Sequence, residues 1–205
     1  MKSNRFSAVI LAAGFSSRMG EFKPLLPLGD RTLLEQVVTL FEETGIQDIC
    51  VVIGHHHTRM CPVVENLRAR SVFNPNYRKD MFSSVVSGIT TLAPETEAFF
   101  IMPVDIPLVR RATIEHLLNA YQESKGHLLY PAFKGSRGHP PLIPFAYAKD
   151  IIEWKGKGGL NGALTHVASC VFEVDVPDEH ILFDIDTPED YQQLLKIWHT
   201  EKRRS

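Results

Sequence analysis

Cysteine is scarce in this 205-residue sequence, and its few copies form no recognisable bonding pattern. Cys50, Cys61 and Cys170 are widely spaced, odd in number and without a C-x-x-C pair. Such a set argues against a disulfide framework or a zinc site and is typical of reduced thiols. We therefore expect a cytoplasmic protein.

The sequence also lacks a large excess of charge of either sign: it has 22 basic and 24 acidic residues, for a net charge of −2. A nucleic-acid-binding protein usually has a strongly basic face and a high pI, so nucleic acid is not an expected partner. No apolar run approaches the roughly 18 residues of a membrane-spanning helix, and no membrane partner is expected. Residues 2–15 superficially resemble a secretory signal. We interpret them as part of a strand, because cleavage near residues 12–14 would remove the strand that leads into the loop described below.

Repeats, linkers and low-complexity segments are lacking as well, which together with the length predicts one domain over residues 1–205. The basic tail, residues 200–205, is expected to be a frayed end. Strand-length apolar runs alternate with amphipathic helical segments, which predicts a three-layer α/β/α fold with a mostly parallel sheet. A reversal at residues 134–138 predicts a small antiparallel insertion near residues 128–143.

Local signals place several helices. Thr32 followed by Glu35 predicts a capping box at a helix start. Thr187 directly before a proline predicts the start of the last helix, which should reach about His199. Residues 62–69 are also expected to be helical.

The first apolar strand, residues 8–12, leads into a loop that carries glycines and two cations. Gly14 and Gly20 allow positive φ and close approach of the backbone to a ligand, and consecutive N–H groups in such a turn bind anions. Arg18 and Lys23 add positive charge. The loop matches neither the Walker A pattern nor the G-x-G-x-x-G dinucleotide pattern. It therefore predicts a phosphate site of another kind.

Residues 11–23 have the form L-A-A-G-x-S-x-R-M-G-x-x-K, which resembles the signature loop of nucleotidyltransferases that activate a phosphorylated acceptor. The loop is most similar to that of the molybdenum cofactor cytidylyltransferases and their guanylyltransferase relatives, the MobA/MocA-like family. Residues 74–89, 105–107, 138–140 and 184–190 match further motifs of that family in order. The resemblance implies a Rossmann-like nucleotidyltransferase fold and transfer of CMP from CTP to molybdopterin, with release of pyrophosphate.

The resemblance also implies that the nucleotide is bound by this loop and by residues that follow later strands. Arg18 and Lys23 are the expected catalytic cations, because Arg18 can bind β- and γ-phosphate oxygens in bidentate fashion and Lys23 can follow charge at the α-phosphate. The histidines at 55–57 are interpreted as a polar loop, since neighbours on an extended segment point to opposite sides and share a metal poorly. The expected nucleotide-binding residues are Leu11, Ala12, Ala13, Gly14, Arg18, Lys23, Gly54, His55, Asn74, Ser83, Ser84 and Asp105.

Two of these assignments have alternatives. Ser83 and Ser84 lie where a helix begins, so either one could instead be an ordinary N-cap. Asp80 stands where the family has glycine. Because Asp tolerates left-handed backbone geometry, we expect the turn at Asp80 to be kept.

Metal-binding carboxylates are expected at two places. Asp105 follows a buried strand, and the carboxyl ends of parallel strands face the crevice where such sheets bind ligands. Asp186 precedes the last helix, with Asp184 as the substitute for it. The resemblance implies that Asp105 and Asp186 hold Mg²⁺, which binds phosphates together with one or two carboxylates.

The acceptor is expected beside His139, Pro140 and Gly159, the first two from the G-H-P motif of the cytidylyltransferase branch. Alternatively, His139 is a histidine satisfied within the core. The glycine-rich stretch at 155–163 lacks the acid and the arginine that the family has there. The identity of the acceptor is therefore left open.

The choice of base is expected to depend on Ala13. The resemblance ties the form L-A-A-G to cytidine nucleotides and L-A-G-G to guanosine nucleotides, and the methyl of Ala13 would occupy space that glycine leaves for a purine. We therefore expect CTP to be preferred over GTP.

Other functions are compatible with the same loop. One is transfer from GTP or another nucleoside triphosphate to molybdopterin, or to a sugar or alcohol phosphate. Another is a nucleotide-sensing or chaperone-like protein that delivers molybdenum cofactor without turnover, which the presence of both cations and both carboxylates disfavours. The expected partners are a nucleoside triphosphate, a molybdopterin-like phosphorylated acceptor, and a molybdoenzyme or its maturation chaperone.

Overall fold

The computed structural model describes residues 5–124, 126–168 and 170–203, in which strands and helices alternate. The strands are β1 (Phe6–Ala12), β2 (Pro27–Leu28), β3 (Arg31–Thr32), β4 (Asp48–Ile53), β5 (Arg70–Phe73), β6 (Ala98–Pro103), β7 (Leu128–Phe133), β8 (Ser136–Arg137), β9 (Leu142–Pro144) and β10 (Val171–Asp175). The helices are α1 (Leu33–Glu43), α2 (His57–Glu65), α3 (Met81–Ile89), α4 (Arg111–Glu123), α5 (Ala148–Glu153), α6 (Gly159–Val167) and α7 (Pro188–Lys202).

The main sheet has the strand order β10-β7-β9-β6-β1-β4-β5, and β8 pairs with β7. Strand β1 is parallel to β4 and β6, and β10 is parallel to β7. This confirms the predicted α/β fold with a mostly parallel sheet. The predicted small antiparallel insertion near residues 128–143 is confirmed, because β8 and β9 both pair with β7 in antiparallel orientation. Because β9 lies antiparallel between β6 and β7, β7 itself runs in the direction of β6.

Both faces of the sheet are buried, which explains why β1 is apolar at nearly every position. Ala8 and Ile10 point into one core, which includes side chains from α1, α2 and α4. Val9 and Leu11 point into the other core, which includes side chains from α3, α5 and α6. Successive side chains of a strand alternate between faces, so each face of β1 packs against its own helical layer.

The last helix has a separate role. Leu194 of α7 packs in a third cluster with Met19, Leu28 and Leu33. Helix α7 therefore covers the outer side of the loop that follows β1. Its predicted start is confirmed by the capping box of Thr187, but the helix continues to Lys202. Residues 200–202, which were predicted to be frayed, are therefore helical, and Arg204 and Ser205 lie outside the described residues.

Local predictions met different outcomes elsewhere. The capping box of Thr32 is confirmed. The helix predicted at residues 62–69 instead begins at His57, so that Pro62 lies inside it. Asp80 has extended backbone geometry with φ −167°, so the left-handed turn expected there is wrong. The side chain of Asp80 accepts the N–H of Ser83, which makes Asp80, and neither of the serines, the N-cap of α3. Across the described residues, no helix is long and apolar enough to cross a membrane.

Candidate active site

The loop after β1 is folded by its own hydrogen bonds. The carbonyl of Ser16 accepts the N–H of Met19 at 3.0 Å, and the Ser16 hydroxyl accepts the N–H of Lys23 at 3.1 Å. Gly20 has the predicted positive φ of 74°. The other left-handed residue of the loop is Ser16, with φ 55°, and not Gly14 as predicted. The serine side chain thus holds the turn that glycine was expected to make.

A cavity of about 360 Å³, here called the first cavity, lies along this loop. It brings together most of the predicted nucleotide-binding residues from the loop, from the start of α3 and from the end of β6. Among its lining residues are Leu11, Ala12, Ala13, Gly14, Arg18, Lys23, Ser84, Asp105 and Asp186.

The predicted cations and carboxylates contact one another at the end of this cavity. The ammonium of Lys23 donates to Asp105 Oδ2 at 3.1 Å, to Asp186 Oδ1 at 2.8 Å and to the carbonyl of Ile185 at 2.5 Å. Arg18 Nη1 donates to Asp186 Oδ2 at 2.6 Å. The hydrogen bond from Lys23 holds the pKa of Asp186 below its ordinary value, against the opposing effect of partial burial. Asp186 is therefore an anion in this arrangement.

The three oxygen atoms that accept from Lys23 are also suitable ligands for a divalent cation. The Lys23 ammonium already places one cation among two carboxylates and a backbone carbonyl, which are ligands that Mg²⁺ prefers. Within the described residues, no group of three or more His, Cys, Asp or Glu side chains forms a metal site. A phosphate-bound Mg²⁺ does not require one, since it uses one or two carboxylates and keeps waters. Asp105 and Asp186 therefore fit the predicted role, and the exposed Asp184 lines a different cavity.

Four predicted nucleotide-binding residues are not among the described residues that line the first cavity: Gly54, His55, Asn74 and Ser83. Asn74 is fully buried, and its amide nitrogen donates to the hydroxyls of Ser83 and Ser84, each at 2.9 Å. Direct contact of Asn74 with a ligand is thus not supported. Its side chain instead fixes the two serines at the start of α3.

Gly54 and Ala13 approach each other closely, and Ala13 lines the first cavity. A Cβ added to Gly54 would lie 2.9 Å from the Cβ of Ala13 and 2.5 Å from the Cβ of Tyr77. The N–H of His55 donates to the carbonyl of Ala13 at 3.1 Å. Ala13 is only 3% exposed, and its methyl packs against Gly54. Because Ala13 also lines the first cavity, the steric role of its methyl toward the base stays a prediction.

Two aromatic residues, Phe15 and Tyr77, also line the first cavity. The ring of Phe15 is 5.4 Å from that of Tyr77 and 4.9 Å from that of His55. The guanidinium of Arg78 lies over both Phe15 and Tyr77. Burial, with the nearby charges of His56 and Arg78, lowers the pKa of His55.

A second cavity of about 590 Å³ adjoins the first and shares Arg18, Asp105 and Asp186 with it. Its lining is mostly apolar and also includes Arg137, Asn161 and the first residue of α6. The predicted acceptor residues His139 and Gly159 line it, whereas Pro140 is buried and is not among its described lining residues. The apolar part comes from Phe82, Val85, Ile101, Ile106, Leu160 and Ile181.

His139 does not behave as a satisfied core histidine. Burial lowers the pKa of its imidazole, while the charges of Asp105 and Asp184 act in the opposite direction. Its Nδ1 atom is buried and has no hydrogen-bond partner among the residues that the structure describes. The interpretation of His139 as a ligand-binding residue is thereby favoured over the core interpretation.

Several residues of the two cavities were not predicted. Tyr77 and Met81 line the first cavity. Both lie inside residues 74–89, which match a family motif, so that motif could have identified them. Arg137 lines the second cavity, but its turn indicated only a chain reversal. The carbonyl of Ile185 is a backbone atom, and no side-chain pattern can reveal it.

A mostly parallel sheet, a glycine-containing loop after its first strand, and cations paired with carboxylates beside two adjoining cavities are the arrangement expected of a nucleotidyltransferase. The family model of the MobA-like NTP transferase domain matches residues 8–170. The chain therefore belongs to the MobA-like NTP transferase family.

Relatives in this family have different activities. The chain is 26% identical to the molybdenum cofactor cytidylyltransferase of Escherichia coli strain K12 over 187 residues, covering 89% of this chain and 92% of that protein. It is 27% identical to the nicotine blue oxidoreductase of Paenarthrobacter nicotinovorans over 198 residues, covering 92% and 96%. Its fold matches that of Rv0371c from Mycobacterium tuberculosis H37Rv with a TM-score of 0.81 at 22% identity, covering 94% and 98%.

Proposed function

We propose that the protein transfers CMP from CTP to a phosphorylated acceptor, molybdopterin, and releases pyrophosphate. The observation that carries this proposal is the position of Arg18, Lys23, Asp105 and Asp186 around the junction of the two cavities. A nucleotide in the first cavity and an acceptor in the second would meet at these side chains. The L-A-A-G form of the loop and the cytidylyltransferase relative from Escherichia coli support CTP and molybdopterin.

In this reaction an oxygen of the acceptor phosphate attacks the α-phosphorus of CTP. The bond from the α-phosphorus to the bridging oxygen breaks, and pyrophosphate leaves with the electron pair. A phosphomonoester has a second pKa of about 6, so the attacking oxygen is already an anion near neutral pH. No general base is required, and the protein must position two anions and neutralise their charge.

Two side chains of the loop are suited to this task. Arg18 is 72% exposed and can turn its guanidinium toward the β- and γ-phosphate oxygens. Lys23 is less exposed: it lines the first cavity and contacts Asp105 and Asp186, which line both cavities, so it can follow the charge that develops at the α-phosphate and the leaving oxygen. Backbone N–H groups of the loop add fixed dipoles for the phosphates.

Asp105 and Asp186 would hold Mg²⁺. Bound there, the ion supplies positive charge to the phosphate oxygens and helps to orient them. A structure of the fold relative Rv0371c was solved in complex with manganese, and the chain matches it with a TM-score of 0.75 at 21% identity. For the present chain, the proposal depends on its own carboxylates and their cation-binding geometry.

The second cavity is the proposed acceptor site. Its apolar walls suit a ring system, while His139 and Arg137 provide polar contacts at its edge. Asn161, in the glycine-rich segment that lacks the family's acid and arginine, also lines it. A molybdoenzyme or its maturation chaperone is the expected recipient of the product.

The experiment is a panel of acceptors incubated with purified protein, CTP and Mg²⁺, with release of pyrophosphate as the measurement. Molybdopterin should give turnover, whereas sugar phosphates and alcohol phosphates should give little. Turnover with a sugar or alcohol phosphate, and none with molybdopterin, would make that phosphate the acceptor in place of molybdopterin. Tight CTP binding without pyrophosphate release from any acceptor would favour a nucleotide-sensing or delivery protein.

A further inference from the structure

We propose that Lys23 and Arg18 occupy the metal-binding carboxylates before substrate binds, and that the triphosphate frees these carboxylates by taking over both cations. The metal and the nucleotide would then bind together, and the metal alone would bind weakly. This inference rests on the proposed function in assigning Asp105 and Asp186 to a metal and the first cavity to a triphosphate.

The ammonium of Lys23 already occupies the oxygen atoms of the proposed metal site. A lysine ammonium has three N–H donors, and here each has an oxygen acceptor, from Asp105, Ile185 and Asp186. The Lys23 side chain is only 10% exposed. Its charge therefore lies within the same oxygen atoms that a divalent cation would use.

Each carboxylate oxygen of Asp186 is paired with a cation of the loop. Lys23 contacts Oδ1 of Asp186, and Arg18 contacts Oδ2 of the same carboxylate. Both oxygens thus already face a positive charge, which repels a second cation at short range. A metal ion arriving alone would have to displace at least one of these contacts.

A triphosphate changes this competition because it offers many anionic oxygens to the same two cations. Arg18 and Lys23 both line the first cavity, so neither needs to leave it to contact a phosphate. Each cation drawn to the phosphates leaves carboxylate oxygens available to the metal. Binding of the two ligands is then coupled, and the coupling is reciprocal.

The test measures Mn²⁺ binding without nucleotide, by the loss of the free-Mn²⁺ electron paramagnetic resonance signal. Lys23→Met should bind Mn²⁺ about tenfold or more tightly than wild type, a change worth about 1.4 kcal/mol. Arg18→Gln removes one contact rather than three and should give a gain of roughly threefold, the scale of a single exposed ion pair. Lys79→Met is the matched control, because Lys79 is an exposed lysine that lines the same cavity.

The outcomes separate clearly. Gains in Lys23→Met and Arg18→Gln with no gain in Lys79→Met support the proposal. Wild-type affinity in both loop variants overturns it, and so does an equal gain in Lys79→Met, which would indicate only a general effect of charge. Should Lys23→Met fail to fold, Arg18→Gln decides the question, since its side chain is 72% exposed. Mn²⁺ binding is measured without an acceptor, so it is independent of pyrophosphate release. Either measurement can therefore give a negative result while the other is positive, which distinguishes failure of this inference from failure of the proposed function.

Discussion

The backbone N–H of Ile185 donates to the backbone carbonyl of Asp105 at 2.9 Å. This bond ties the segment before α7 to the segment after β6. Because Asp186 is the next residue, the bond brings two carboxylates from distant parts of the sequence to one ammonium, that of Lys23. The site is therefore assembled partly by main-chain geometry.

The first prediction concerns these carboxylates. Asp105→Ala and Asp186→Ala should each lower Mg²⁺-dependent pyrophosphate release by about 100-fold or more, because phosphate charge would lose its metal. Asp184→Ala is the control, since Asp184 is exposed and lines only the second cavity. Circular dichroism should show that all three variants fold. Near-normal turnover by both main variants would contradict the assignment of the metal to Asp105 and Asp186. A loss of turnover confined to Asp184→Ala would assign the metal to Asp184 instead.

The positions of Asp105 and Asp186 could be predicted because each is fixed by a strong local signal. Asp105 follows a continuous apolar strand, and Asp186 precedes a threonine-proline helix start. Strand ends and helix caps are set by nearby residues, so a sequence pattern locates them well.

The contacts of Lys23 and Asn74 could not be predicted, because they depend on how distant segments pack. Lys23 was expected to contact phosphates, and its ion pairs with two carboxylates appear only once β6 and α7 are placed. Asn74 lies in a recognisable motif, but that motif cannot show that the amide is buried beneath two serines. The early start of α2 was missed because Pro62 was expected to begin the helix, whereas it lies inside it.

The second prediction separates binding from chemistry at Lys23. Lys23→Met should lower kcat by roughly 100-fold or more, while the Kd for CTP changes by less than about tenfold, the pattern of a lost transition-state contact. Single-turnover kinetics with the acceptor and Mg²⁺ at a series of CTP concentrations provide both the rate of the chemical step and the Kd. Lys79→Met, in the same cavity, should affect kcat little. A raised Kd with unchanged single-turnover rate would show that Lys23 contributes binding only.

The third prediction concerns the close approach of Gly54 to Ala13. A methyl at Gly54 would lie 2.5 Å from Tyr77 Cβ, so Gly54→Ala should lower the free energy of unfolding by about 1–3 kcal/mol. Gly14→Ala is the matched control, since a methyl there meets no atom within 4 Å. Urea unfolding of both variants measures the difference. Equal stability of the two would show that the loop can shift without cost.

The fourth prediction is a pH dependence away from the site. Burial raises the pKa of Glu201, but hydrogen bonds from Arg110 and His180 outweigh it, and the net pKa lies below the ordinary 4.5. A group with a lowered pKa in the folded state stabilises the fold above its unfolded pKa, and this stabilisation is lost as pH falls through the folded pKa. Because Glu201 is 39% exposed and solvent screens its ion pairs, Glu201→Gln should cost at most about 1 kcal/mol at pH 7 and less near pH 3.

Urea unfolding at both pH values tests this expectation. Glu153→Gln, which changes an exposed glutamate on α5, controls for the general loss of one negative charge. A cost of Glu201→Gln that stays the same at pH 3 would mean that ionisation of Glu201 does not contribute to stability.

The last prediction is the choice of base. We expect CTP to bind more tightly than GTP by roughly ten- to two-hundred-fold, the range that contacts of methyl size can provide. Ala13 lines the first cavity and its methyl packs on Gly54, so it can act on the base both by contact and through the position of the loop backbone. Ala13→Gly should therefore reduce the preference for CTP without reversing it, because only one methyl group is removed. Calorimetric titration of CTP, GTP and ATP into wild type and Ala13→Gly, with Mg²⁺ present, measures both effects. Equal affinity of the wild type for GTP and CTP would refute the argument from Ala13 and favour a guanylyltransferase.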